Sequence, residues 1–217
     1  MDFGCGTGFL LLKISKVFPD SNLIGVDKSE VGIKLAGERG VNAKYYVCDL
    51  LDNKLTFDNS FESDVGICCE VIEHISDPEI FLRNCCKFIK KGGCLIVSVP
   101  GGSRCVYDKH IGHLRHYTIK TLNELMNTVC DDVNINGMMF PFYNIYRFLR
   151  ALRGEKLIVD AKKQGRNEPT LLLRFVSLFL RFGIRYFSMD SKFGLNLIGV
   201  GTVKELDKNI NIKPHVA

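Results

Sequence analysis

The sequence predicts a doubly wound α/β fold, a mostly parallel sheet with helices on both faces, and three observations carry that expectation. Short apolar runs such as "NLIGVD", "SDVGICCEV" and "CLIVSVP" alternate with stretches whose apolar residues recur at helical spacing. Alternation of this kind requires crossover connections, which are right-handed and lay helices on both faces of a parallel sheet. Glycines at positions 4, 6 and 8 fall at the first turn of the series, and acids close the next two apolar runs.

The elements follow in order. Residues 9 to 18 place Leu10, Leu11, Ile14, Val17 and Phe18 at helical spacing, with Pro19 closing the helix. "NLIGVD" (22 to 27) is a strand ending in an acid, followed by a helix from Ser29 to Arg39 and a stop at Gly40. "AKYYVCDL" repeats the pattern, and "SDVGICCEV" (63 to 71) suits a strand buried on both faces. Ser76 with Glu79, and Pro78 between them, marks a helix start by capping-box chemistry; Gly92 and Gly93 end that helix before "CLIVSVP". Thr118 caps a further helix to about Val129, whose apolar face holds Leu122, Leu125, Met126 and Val129. "VNINGMMF" and "LNLIGVGTV" are two late strands. Between them lie residues 142 to 192, where a hairpin needs about 2 to 5 residues, so a helical insertion is expected there.

Composition narrows the class. A chain of 217 residues with 46% hydrophobic and 24% charged residues fits one globular domain, and no apolar stretch reaches the ~18 residues of a membrane span. The pairs Cys68–Cys69 and Cys85–Cys86 sit in apolar runs, as reduced buried thiols do, so the nine cysteines suggest an intracellular, cytoplasmic protein. No CxxC occurs, and no metal is expected. Much of the net charge of +5 falls after residue 140.

The glycine turn separates ligand classes. A dinucleotide fingerprint needs G-x-G-x-x-G, but the third position is Phe9; a P-loop needs Gly-Lys-Ser/Thr, and the first lysine is Lys13. Nicotinamide and triphosphate ligands are therefore disfavoured. Asp27 and Asp49 at successive strand ends suit an adenosine ligand that lacks a pyrophosphate and carries positive charge.

D-F-G-C-G-T-G, then V-D, C-D-L and "CCEVIEHI", resembles the Rossmann-like (class I) S-adenosylmethionine-dependent methyltransferases, in particular the ubiquinone-biosynthesis O-methyltransferase type, over residues 1 to about 135 plus the final strand. The resemblance implies a seven-stranded sheet whose last strand is antiparallel. It also implies S-adenosylmethionine as cofactor, with Asp2, Gly4, Gly6 and Gly8 around its methionine part and Asp27 on the ribose. Asp49 and Leu50 would face the adenine, while Cys69 and Glu70 would line the methionine. A first strand needs about 5 residues and only Met1 and Asp2 come ahead of the turn, so the expectation is an amino terminus clipped of a strand and its preceding helix.

Methyl transfer is an in-line displacement that needs alignment and, for weakly acidic acceptors, a base. The candidates are His74 in "EHI" and His113 and His116 in "DKHIGHLRHYT" (108 to 118), both in loops at the carboxyl edge of the sheet. For the second loop, substrate contact and a capping network built on Arg115 and His116 stand side by side. Residues 142 to 192 are expected to cover the substrate site as a lid. Arg147, Arg150 and Arg153, and then Arg174, Arg181 and Arg185, fall near single helical faces among apolar residues. Such helices either snorkel their arginines to water or lie on an anionic membrane through residues 142 to 187. The expected acceptor is a small or lipid- or glycan-linked molecule methylated on oxygen, with no nucleic acid partner. A non-catalytic adenosine-ligand module and an RNA methyltransferase are the alternatives.

Overall fold

The computed structural model describes residues 1–52, 62–162, 171–187 and 189–205. Seven strands form one sheet: β1 (Asp2–Phe3), β2 (Leu23–Asp27), β3 (Ala43–Val47), β4 (Ser63–Cys69), β5 (Ile89–Pro100), β6 (Cys130–Met138) and β7 (Asn196–Val203). Their order is β3-β2-β1-β4-β5-β7-β6, and β7 is antiparallel to both neighbours. The Rossmann-like arrangement expected from the resemblance, including the antiparallel last strand, is the one observed. Strand order reverses between β1 and β4, which opens a crevice beyond their carboxyl ends.

Helices α1 (Phe9–Val17), α2 (Glu30–Gly37), α3 (Pro78–Cys86), α4 (Val106–His110) and α5 (Ile119–Met126) connect the strands, and α6 (Phe142–Lys162) and α7 (Leu171–Tyr186) occupy the insertion. Side-chain caps fix where several begin. Ser29 Oγ accepts from Gly32 N at 3.0 Å, and Thr118 Oγ1 accepts from Thr121 N at 3.1 Å. The cap of α3 differs from the sequence expectation: Asp77, not Ser76, accepts from Ile80 N at 3.0 Å. With Pro78 opening the first turn, the residue just before it is the one whose carboxylate reaches the orphan amides. The α3 helix also ends at Cys86, well before Gly92 and Gly93. Ile89, wholly buried, already pairs with Ser63, and the glycines lie in an irregular stretch before the ladder resumes at Val65–Cys94.

The core lies on both sides of β4 and β5. Phe3, Ile72, Leu82, Ile89, Leu95, Val97 and Leu122 are each inaccessible to solvent. Burial of this kind is worth about 1.5–3 kcal/mol per large side chain and holds the strand ends in fixed relation. The loops that carry the polar chemistry rise from that edge.

Candidate functional site

At the first turn, the N–H groups of Gly4 and Cys5 both donate to Val26 O, at 2.7 and 3.0 Å, drawing the turn tightly over β2. Gly4 has φ +76°, and a Cβ there would stand 2.6 Å from a Val71 methyl. Any larger residue would strain the backbone and push into the loop after β4. Gly6 N donates to Asp27 Oδ2 and Ser29 N to Asp27 Oδ1, both at 2.8 Å. The carboxylate at the end of β2 thus ties the turn to the start of α2. Gly8, also at φ +76°, backs onto Ala36 and the Tyr45 hydroxyl, so conformation and packing both require glycine there.

A cleft of roughly 220 Å³ opens at the switch point. Of the residues expected to hold the cofactor, Gly4, Asp27, Asp49, Leu50 and Glu70 line it, together with His74, while Asp2, Gly6, Gly8 and Cys69 do not. Val71, Ile75 and Phe81 add an apolar wall that the sequence reading missed. Asp49 accepts from Leu51 N at 2.9 Å in an Asx turn, which sends the Leu50 side chain inward to 3% exposure. Glu70 sits at φ +55°, a strained position for a side chain at the tip of β4, and receives the Ser98 hydroxyl at 3.3 Å.

Asp2 stands beneath this edge, 2% exposed, with Oδ2 lacking any hydrogen-bond partner. Burial pushes its carboxyl up to about 7. An orphaned acid beside a glycine turn is a place where a ligand's cation would be stabilised. That fits the positive charge and amino group of S-adenosylmethionine better than a pyrophosphate, which the acids would repel.

The second half of the edge is built from side chains. Leu114 N donates to Glu73 O at 2.7 Å and the Tyr117 hydroxyl to Ile72 O at 3.3 Å, pinning the loop of residues 101–117 against the β4–α3 connection. Within it, His113 Nδ1 lies 2.9 Å from His116 Nε2, and the His74 and His113 rings meet edge to face at 4.6 Å. His116 Nδ1 faces an Arg147 amine at 3.2 Å. Asp108, fully buried, accepts from Cys105 N at 2.9 Å, from Arg147 at 3.3 Å and from Arg150. Burial opposes its charge, but those donors outweigh it and hold the carboxyl below its ordinary range.

The three candidate catalytic histidines therefore converge, although His110 of the same stretch is exposed on α4. Arg115 donates to Ser76 O at 3.0 Å, so it ties the loop back to the start of α3 and not to the helix that follows the loop. The expectation that the arginines of the first insertion helix snorkel to water is corrected for Arg147 and Arg150. Arg147 is 8% exposed and both turn inward onto Asp108, because a buried carboxylate offers a stronger partner than solvent. Arg174 and Arg181 lie in α7, their side chains outside the described residues.

The sequence places Glu73 beside His74 at the active edge but does not reveal its state: its two carboxylate oxygens are buried with no hydrogen-bond partner, His74 Nε2 standing 3.9 Å away, and its proton is held up to about 8 by burial and then by Glu70. Along the sequence no carboxylate is suitably spaced beside the histidines. The fold brings two: Glu73 with His74 and His113, and Asp108 with His113 and His116, each trio with ligand atoms within 4.8 Å of one another. The second trio is committed, since both Asp108 oxygens already face guanidinium groups.

A family model described as a methyltransferase domain matches residues 1–168. The ubiquinone biosynthesis O-methyltransferase of Bradyrhizobium diazoefficiens is 32% identical over 101 residues, covering 45% of this chain and 38% of that protein. The human mitochondrial enzyme of the same name is 28% identical over 114 residues, covering 49% of this chain and 30% of its own length. These matches span well under half of the relatives' length. Among solved structures, phosphoethanolamine N-methyltransferase 2 of Haemonchus contortus in complex with S-adenosyl-L-methionine superposes with a TM-score of 0.57 at 19% identity, covering 94% of this chain and 48% of that one. An S-adenosylmethionine-dependent methyltransferase from Thermotoga maritima gives 0.55 at 20% identity, covering 93% and 79%. With this match over most of its length, a reversed sheet order at β1–β4 and an antiparallel β7, the chain belongs to the methyltransferase-domain family, in the Rossmann-like class I fold of the S-adenosylmethionine-dependent enzymes.

Proposed function

We propose that the protein binds S-adenosylmethionine in the cleft at the β1–β4 switch point and transfers its methyl group to an oxygen of a small or lipid-linked acceptor. The observation that carries the cofactor half is the buried, unpartnered Oδ2 of Asp2 just beneath the cleft edge, under a glycine turn whose Gly4 tolerates no side chain. When bound, the cofactor supplies an electrophilic sulfonium methyl group. Asp2 would hold its ammonium, Asp27 its ribose hydroxyls, Asp49 and Leu50 its adenine, with Gly6, Gly8, Cys69 and Glu70 completing the edge. Chemistry at oxygen is supported by relatives named as O-methyltransferases, and by an imidazole, His74, on the cleft wall with its side chain 39% exposed. His74 would take the acceptor's proton, with His113 and His116 as further candidates.

Residues 142–192 would act as a lid. Phe148, Leu152, Phe175, Leu178, Phe179 and Phe182 all stand more than half exposed on α6 and α7, and Arg185 and Lys192 are exposed nearby. That combination supports peripheral contact with an anionic lipid surface, where a lipid-linked acceptor would reside. No described helix is long and apolar enough to cross a membrane.

Calorimetric titration with S-adenosylmethionine, S-adenosylhomocysteine and NAD tests the reading. Binding of the first two alone is expected; binding of NAD alone, or of none, would overturn it. If both adenosyl ligands bind while lipid and phenolic extracts accept no methyl group, the non-catalytic module replaces the enzyme. Sedimentation with anionic and neutral vesicles tests the membrane contact, with retention expected only on the anionic ones.

A further inference from the structure

The four polar side chains Arg147, His116, His113 and Asp108 fix one another's protons. A guanidinium carries only donors. Its amine, which donates to Ser103 O at 3.0 Å and to Asp108 Oδ2 at 3.3 Å, also faces Nδ1 of His116 at 3.2 Å; with no lone pair on the amine to receive an N–H, that contact favours a lone pair on Nδ1, and a neutral His116 then carries its proton on Nε2. Nε2 in turn lies 2.9 Å from His113 Nδ1 and 3.7 Å from Asp108 Oδ2. Both neighbours then serve as acceptors, which leaves His113 Nδ1 with a lone pair and its proton on Nε2. The reverse order fails: if His113 donated from Nδ1, His116 would need its proton on Nδ1, N–H against N–H of Arg147. A doubly protonated His116 would set an N–H against Arg147 as well, although the carbonyls of Gly102 and Ser103 would accept from it.

We propose that Arg147, reaching from the insertion helix α6 into the loop of residues 101–117, is a positioning residue that sets His116 and His113 in the Nε2–H tautomer. The hydrogen bonds then run one way, from the insertion through two imidazoles to the Glu73–His74 side of the cleft. Both rings are shielded, His113 at 8% exposure and the His116 side chain at 2%. Burial, then the neighbouring His74, His116 and Arg150, drives His113 down to about 4, against a weaker pull from Asp108. Burial and Arg147 lower His116 as well, opposed by Asp108 and by the carbonyls of Gly102 and Ser103. Two neutral rings are what the geometry requires. On the methyltransferase reading, on which this consequence rests, His113 acts as a hydrogen-bond donor rather than the base. His74 is then the imidazole that faces the acceptor.

Histidine-labelled protein examined by two-bond proton–nitrogen correlation reports each tautomer directly, whether or not methyl transfer occurs. His113 and His116 are expected as Nε2–H forms, and His113 is expected not to titrate between about pH 5.5 and 7.5, the range in which a free imidazole does. Arg147→Met should free His116 to exchange tautomers, and Arg147→Lys, still a pure donor, should restore the native pattern. An Nδ1–H form of either ring in the native protein overturns the proposal, as does an unchanged pattern in Arg147→Met. If Arg147→Met does not fold, the native spectrum decides alone. In turnover, Arg147→Met should lose about tenfold or more in kcat with the KM for S-adenosylmethionine unchanged, and Arg147→Lys should recover most of it. Correct tautomers in a protein that transfers no methyl group would overturn the function and leave the positioning intact.

Discussion

The two halves of the sheet edge reach order by different means. The β1–β4 half is made of backbone: a turn at positive φ, amides donating to Val26 and Asp27, and an Asx turn at Asp49. The β5–β7 half is made of side chains drawn from far apart in sequence, with Asp108 joined to Arg147 and Arg150 on the insertion. A backbone-built site keeps one shape for one ligand, whereas a side-chain network can be rewired as the acceptor changes.

Removing the acid at the centre of the second half should separate the two most sharply. Asp108→Asn leaves Arg147 and Arg150 without a counter-charge, and breaking a buried pair on one side costs about 3–5 kcal/mol. Denaturant unfolding should show that loss. Native-like stability would mean that the pairs do not hold the half together.

Glu73 supplies the next effect. Its folded value of about 8 lies above the ordinary 4.5, so the folded chain holds this proton more tightly than the unfolded one. The stabilisation is complete below about 4.5 and is lost as pH rises through 8, at up to about 1 kcal/mol per pH unit. Asp2 acts with the same sign between 3.8 and about 7. His113 acts oppositely, losing stability as pH falls from 6.5 towards 4. Glu73→Gln should flatten the decline of melting temperature towards pH 8 and leave the acid limb in place; an unaltered profile would remove Glu73 as its source.

In the backbone-built half, Asp27→Ala should weaken S-adenosylmethionine binding by about 1–3 kcal/mol in a calorimetric titration. Its effect on stability should be the smaller one, since Gly6 and Ser29 can return their amides to water. Equal affinity would take Asp27 out of the site. The smallest effect should come from His110→Ala, a change within about 0.5 kcal/mol in stability with unaltered turnover, because this ring is exposed. A large loss would show that the loop's chemistry extends past the buried pair His113 and His116.

How much was legible in the sequence follows the same division. The glycine turn, the acids at Asp27 and Asp49 and the cap at Thr118 could be read because each is a local rule acting over a few residues. The pairing of Asp108 with Arg147 could not, since no local rule joins residues 39 apart. A signal was there in Arg147 and Arg150, one turn apart among apolar residues, which demanded either water or a buried acid. That Glu73 lacks a hydrogen bond has no signature in the sequence, because it is a property of the packed fold. At α3 the capping-box pattern points to Ser76, whereas the cap is Asp77, the residue adjoining Pro78.

The insertion meets the sheet through a narrow neck. Phe140 and Met189 exchange two backbone hydrogen bonds, at 3.2 and 2.9 Å, and Ser191 N donates to Gly137 O at 2.7 Å. The strands on either side, β6 and β7, are antiparallel partners, so the whole excursion is a hairpin loop in topological terms. Doubling the length of such a loop costs only about 0.6 kcal/mol in closure entropy. The neck therefore lets the segment between residues 141 and 188 vary in length with the strand register kept, provided that a graft still supplies the two cations that Arg147 and Arg150 bring to Asp108.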